Sequence, residues 1–223
     1  MPVPGLLAIR GAIQQSCRSH GRDPAELRLI AVTKTQDPVV LSDLAAAGIH
    51  DCGENRPDHL ALMRAAAPPA TRFHFIGVLQ SRQFKHIVPL VDCIHSLFKT
   101  DHIAKLDRLC GDRTERLPVF CQVNTSGEPQ KGGCAPDELP ILLDAVRASR
   151  HLALQGLMCM APDLRGGRHP EDRVRRCFES AADLNRRHDL PRLSMGMSED
   201  FQLAIAAGAT DLRIGSALFR SPE

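Results

Sequence analysis

Lys34 directly follows the apolar run Leu29–Thr33. An ammonium leaving an apolar strand is partly desolvated. Desolvation disfavours the charge and frees the neutral amine that a Schiff-base lysine requires. The same position also suits a lysine that ends a strand and points to water. Two later groups read as anion receivers: Ser194-Met195-Gly196-Met197-Ser198 and Arg213-Ile214-Gly215-Ser216. Glycines admit close backbone approach, serines offer hydroxyls, and helices opening near Ser198 and Ser216 offer N–H groups to a phosphate. Serine N-caps beside tight turns leave the same pattern. Arg213 suits either a hydrogen bond to a ring nitrogen of a bound cofactor or a pairing with a carboxylate. Asn55, His74 and Asn124 lie in or after other apolar runs, where each is also a structural hydrogen-bonder. Met158 and Met160 read as packing residues.

Something must bring these residues to one place. After a leading helix from about Pro4 to His20, short apolar runs alternate with helical stretches. The strand candidates are LRLIAVT, IHDC, RFHFIG, DCIHSL, LPVFCQVN, LALQGLM, RLSMG and TDLRIG. Helices are expected over PVVLSDLAAAG, up to about Ala67, over LQSRQFKHIVPL, from Asp101, near Pro136, from Pro170 to His188, over EDFQLAIAAG and after Ser216. APDLRGGRHP reads as a loop. Alternation argues for a parallel sheet, and eight units of about 28 residues argue for closure. The expected fold class is α/β, a single (β/α)8 TIM barrel with an extra N-terminal helix, occupying residues 1–223 as one domain. No GxGxxG follows the first strand, so a dinucleotide fold is unsupported. In a barrel, active sites gather at the C-terminal strand ends, and the loops after strands seven and eight often hold phosphate.

The bulk properties narrow the partners. A net charge of +2 gives no reason to expect nucleic acid or an acidic membrane. No run approaches a membrane span and no signal peptide opens the chain. The eight cysteines form no CxxC pair and have no zinc spacing, so no metal is expected. They read as buried hydrophobes and free surface thiols, which fits a reducing cytoplasm.

The ordered motifs then carry a resemblance. IAVTK around Ala31–Lys34, GEN (Gly53–Asn55), FHFIG-x-LQ (Phe73–Gln80), QVN-x-SGE-x-x-K-x-G (Gln122–Gly133), GLM (Gly156–Met158), LSMGMS-x-D (Leu193–Asp200) and AI-x-x-GAT-x-x-RIGSALF (Ala204–Phe219) span almost the whole chain. It resembles the pyridoxal phosphate homeostasis proteins, the YggS/PROSC family, related to the barrel domain of alanine racemase. The resemblance implies pyridoxal 5′-phosphate (PLP) as cofactor, held as an aldimine on Lys34. Ser198, Gly215 and Ser216 would hold the phosphate, Ser194 is a further cofactor-binding candidate in the same loop, and Arg213 would face the pyridine nitrogen. Asn55 and Met158 would line the ring pocket, with His74 and Asn124 in the mouth. The chain departs from the family pattern at Phe73, Val78, Arg82-Gln83, Asp58-His59, Ser216 and Arg220, mostly on the rim.

Arginine stays protonated and leaves a ring nitrogen it faces unprotonated, a poor electron sink. The related racemases use a tyrosine delivered with a second, all-β domain. This chain has no Tyr, and no such domain is expected after its eighth strand. The reading is a non-catalytic carrier for intracellular PLP buffering or delivery, with PLP-dependent apoenzymes as candidate recipients and a monomer as default. The alternatives are a weak amino-acid racemase and a barrel binding another phosphorylated small molecule without a covalent bond.

Overall fold

The computed structural model describes residues 3–164 and 170–220. Eight parallel strands close into a barrel in chain order: β1 Arg28–Val32, β2 Asp51–Glu54, β3 Arg72–Phe75, β4 Cys93–Leu97, β5 Leu117–Gln122, β6 Leu152–Met158, β7 Arg192–Ser194 and β8 Asp211–Ile214. Closure is the β1–β8 pairing, in register from Arg28 opposite Asp211 to Ala31 opposite Ile214. The expected (β/α)8 barrel is the observed architecture.

The helices are α1 Leu6–Ser19, α2 Val40–Ala46, α3 Pro57–Ala65, α4 Phe84–Ile87, α5 Thr100–Leu109, α6 Leu139–Ala148, α7 Glu171–Arg187, α8 Phe201–Ala206 and α9 Ser216–Phe219. The leading helix α1 packs on α8 and α9. The helix expected over LQSRQFKHIVPL is instead a short α-helix between two 3₁₀ turns, 81–83 and 88–90. Pro89 lacks the N–H that would continue the ladder. Residues 165–169 of the expected loop APDLRGGRHP lie outside the described residues.

Strand side chains alternate between two environments, as a two-residue period requires. Phe73, Phe75, Ile94, Val119, Cys121, Leu157, Leu193 and Leu212 join the large apolar core under the helices. His74, Cys93, His95, Phe120, Met158, Ser194 and Arg213 alternate with them and face the barrel interior, all buried. Such interiors are ordinarily filled with branched apolar side chains; this one carries two histidines, a serine and an arginine.

Close approach requires glycine at several positions, two of which shape the barrel mouth. A Cβ on Gly77 would lie 2.1 Å from the Asn55 carbonyl oxygen, so Gly77 lets the segment after β3 press on the one after β2. Gly196, at φ +91°, would bring a Cβ within 2.6 Å of Ala204 Cβ, so it fixes the path from β7 to α8. All eight cysteines are free and buried, so none is the surface thiol the sequence allowed.

Candidate functional site

A cavity of about 490 Å³ opens at the C-terminal ends of the strands. Lys34, Asn55, Met158, Ser198, Arg213, Gly215 and Ser216 all line it. Residues from five separate strand ends are thus brought together.

Lys34 stands just past the end of β1 and not directly on it. β1 stops at Val32, and Lys34 stands on the following turn, exposed to solvent. The desolvation expected of it is therefore not supplied by the strand. The turn is tied down from below. Thr33 Oγ1 donates to Glu54 Oε1 at 2.5 Å, within the fully buried end of β2. His59 Nδ1 lies 2.8 Å from Glu54 Oε2, and its Nε2 lies 3.1 Å from the Gln36 carbonyl. His59, a departure from the family pattern, clasps the Lys34 turn to β2.

Ser198 Oγ accepts from two backbone amides, Gly215 N–H and Ala217 N–H, each at 3.3 Å. Two donors converging on one oxygen make a nest for an anion. Ser198 itself does not open a helix, because α8 starts three residues later, at Phe201. Asp200 Oδ1 instead takes the Met197 N–H at 2.5 Å and shapes the loop. Burial raises the Asp200 carboxyl above its usual range, against the Met197 hydrogen bond and the charges of Arg213 and Lys131.

Arg213 is buried and faces the cavity floor. Nη1 donates to Ser194 Oγ at 2.7 Å and Nη2 to the Cys159 carbonyl at 2.9 Å. Among the described residues it pairs with no carboxylate, the second of the two roles the sequence left open. Burial lowers its pKa, opposed by Cys159, Asp200 and Asp211.

Three expected residues do not line the cavity. His74 is buried inside the barrel, its Nε2 2.8 Å from Asp51 Oδ1 and its Nδ1 2.9 Å from His95 Nε2. It sits mid-strand in β3 on the interior face, below the mouth. Asn124 Oδ1 accepts from Ser126 Oγ and from the Ser126 and Gly127 amides, while Nδ2 donates to the Glu128 carbonyl. Its side chain builds the turn after β5. Ser194 reaches the site only through Arg213.

The cavity also contains residues that were not named as cofactor contacts: Thr35, Gln36, Lys131, Met160, Asp163 and Asp200. Lys131 and Asp200 were legible, since each stands inside a quoted motif. Met160 packs with the interior pair Phe120 and Met158, so it serves the site and not only the core. His74, Cys93 and His95 bring possible metal-ligand atoms within 4.8 Å of one another. Every ring nitrogen there is already hydrogen-bonded, however, and burial holds the Cys93 thiol well above its ordinary range.

The fold and site define a (β/α)8 barrel that presents an amine, an amide nest and a buried guanidinium to one cavity. Residues 12–222 match the family model described as alanine racemase, N-terminal domain. The Pseudomonas aeruginosa pyridoxal phosphate homeostasis protein is 38% identical, over 96% of this chain and 93% of that protein. The Escherichia coli protein of the same name is 33% identical, over 96% and 94%. The solved structure of Synechococcus elongatus PipY with PLP bound superposes with a TM-score of 0.78 at 27% identity, covering 94% of this chain and all (100%) of PipY. Corynebacterium glutamicum alanine racemase, 19% identical with a TM-score of 0.66, shares the fold, and this chain matches 60% of its length. The chain belongs to the pyridoxal phosphate homeostasis proteins, within the alanine racemase N-terminal domain family. Among the described residues, no helix is long and apolar enough to cross a membrane.

Proposed function

We propose that this chain, acting as one barrel unit over residues 1–223, binds PLP covalently through Lys34 and serves its homeostasis without fast turnover. One observation carries the reading: Lys34, the Ser198–Gly215–Ala217 nest and Arg213 open on the same cavity. The residues fit the cofactor group by group. The amides now held by the Ser198 hydroxyl suit a phosphate oxygen, with the Ser216 hydroxyl beside them. Asn55 and Met158 would flank the ring, and Arg213, a donor only, suits its nitrogen. When bound, PLP supplies an aldehyde that condenses with an amine with loss of water. Lys34 offers the amine, on a turn fixed through Thr33, Glu54 and His59.

The residues support holding over turnover. Arg213 would donate to the ring nitrogen without protonating it, which would leave the ring a weak electron sink. A racemase needs an acid/base on each face of the cofactor. The chain has no Tyr, and the two interior histidines are engaged below the site. Eight free thiols suit a reducing cytoplasm, where PLP-dependent apoenzymes are the candidate recipients.

Two measurements check this. Loaded protein mixed with a PLP-dependent apoenzyme restores that enzyme's activity. Incubation with single-enantiomer alanine yields no sustained appearance of the mirror form. Sustained racemisation abolished by Lys34→Ala would overturn the carrier reading in favour of a racemase.

A further inference from the structure

The polar residues inside the barrel form one unbroken chain. Arg213 Nη1 reaches Ser194 Oγ at 2.7 Å, Ser194 Oγ lies 2.8 Å from His95 Nδ1, His95 Nε2 lies 2.9 Å from His74 Nδ1, and His74 Nε2 lies 2.8 Å from Asp51 Oδ1. Asp51 opens β2 at the opposite, N-terminal end, where Arg72 grips it through Nε at 2.9 Å and Nη2 at 2.6 Å. There it lines a second cavity with Arg28 and Arg192. The chain thus runs from the floor of the cofactor cavity through the barrel to its far end.

Both ends have fixed roles. A guanidinium only donates and an ionised carboxylate only accepts. From the Asp51 end, His74 Nε2 must carry the hydrogen. A neutral His74 then offers a lone pair at Nδ1, so His95 Nε2 must carry a hydrogen too. His95 Nδ1 is left as an acceptor and takes the single hydrogen of Ser194. From the other end, Ser194 Oγ accepts from Arg213 and is free to donate to His95. The hydrogens placed from the two ends agree at every link. The opposite polarity requires an additional proton on His74 inside the dry interior. It cannot be placed on His95, whose pKa burial drives well below the ordinary range. His95 also stacks on Phe120, ring centroids 4.3 Å apart and 20° from parallel, so its plane is fixed.

We propose that His95 and His74 are positioning residues for Arg213, linked by a one-way hydrogen-bond chain that ends on Asp51 and holds the guanidinium aimed at the cofactor site. What Arg213 touches rests on the PLP reading above; the chain itself does not. Every hydrogen points away from the cavity. A guanidinium gives up no proton to such a chain, so it acts as a lock on orientation and not as a proton wire. Ser194 and the Cys159 carbonyl hold Arg213 from below, and its remaining N–H edges are left for the ligand.

The test starts with ligand-free, ¹⁵N-labelled protein near neutral pH. Long-range ¹H–¹⁵N correlations are expected to show the Nε2–H tautomer, with Nδ1 unprotonated, for both His74 and His95. An Nδ1–H tautomer or a doubly protonated ring on either residue overturns the proposal. Variants supply the second arm, read by the absorption band of PLP-loaded protein and by affinity for pyridoxine phosphate, which forms no covalent bond. Ser194→Ala is expected to shift the band and weaken affinity by roughly ten- to a hundredfold, the loss of one hydrogen bond from a charged guanidinium. Ser194→Thr, which keeps the hydroxyl, restores both. Band and affinity unchanged in Ser194→Ala would overturn the positioning role. Failure of the parent protein to attach PLP at Lys34 would overturn the cofactor reading instead, and the tautomers would still report the chain.

Discussion

Removing the phosphate from the ligand tests the nest most sharply. The Gly215 and Ala217 amides both point at Ser198 Oγ from 3.3 Å. A phosphate oxygen taking that place exchanges two neutral hydrogen bonds, about 0.5–1.5 kcal/mol each, for charge-assisted ones of about 1.5–3 kcal/mol. The gain is about 1–1.5 kcal/mol per amide, or ~2–3 kcal/mol for the pair. At about 1.4 kcal/mol per tenfold, pyridoxine phosphate should bind roughly 30- to 140-fold more tightly than pyridoxine. Equilibrium dialysis with Lys34→Ala protein at fixed ionic strength isolates this term, because no covalent bond contributes and screening is constant. Equal affinity for the phosphorylated and unphosphorylated ligands would refute the assignment.

Three other outcomes follow from the same geometry. Gly77→Ala places a methyl against the Asn55 carbonyl, a backbone obstacle; overpacking of about 1–3 kcal/mol should lower Tm by about 2–4 °C per kcal/mol and loosen PLP retention, measured by thermal melts and dialysis. Burial pushes the Asp51 carboxyl up, but hydrogen bonds from His74 and Arg72 outweigh it and hold the group well below its usual range. Asp51 therefore contributes stability that is present above its unfolded pKa of about 3.9 and lost as pH falls below it. His95, held neutral by burial, has the opposite kind of mismatch: the unfolded chain takes up a proton below about pH 6.5 that the folded protein refuses, so stability falls with pH from there. Urea titrations of Asp51→Asn and His95→Phe should flatten these two windows respectively. Ser194→Ala and His95→Phe each break the same contact, so their stability costs should be non-additive by about 0.5–3 kcal/mol in a double-mutant cycle, where distant sites add within about 0.5 kcal/mol.

The barrel was legible because its signal is periodic and repeated. Eight apolar runs alternating with helices left one closed sheet as the economical answer, and β1 to β8 lie where the runs stand. That Ser198, Gly215 and Ser216 line the mouth was also legible, since each sits next to a strand end that barrel geometry sends there. His74 was misread for a reason particular to strands. A two-residue period decides inside from outside, but it does not tell how deep an inward side chain lies. His74 is inward, as a site residue must be, yet a level too low. Asn124 was misread because an asparagine after a strand serves a ligand or its own turn equally well, and only the Ser126 and Gly127 amides decide. The interior chain left almost no trace in the sequence: Asp51, His74, His95, Ser194 and Arg213 come from five strands, and nothing short of closure aligns them.

The central claim is a covalent bond at one lysine. Protein incubated with PLP, reduced with borohydride, and analysed by intact mass and peptide mapping measures it directly. The account predicts a single added cofactor, fixed on the peptide containing Lys34 and absent from Lys34→Ala protein. No fixed mass, or a mass fixed on Lys131 with Lys34 unmodified, would contradict it.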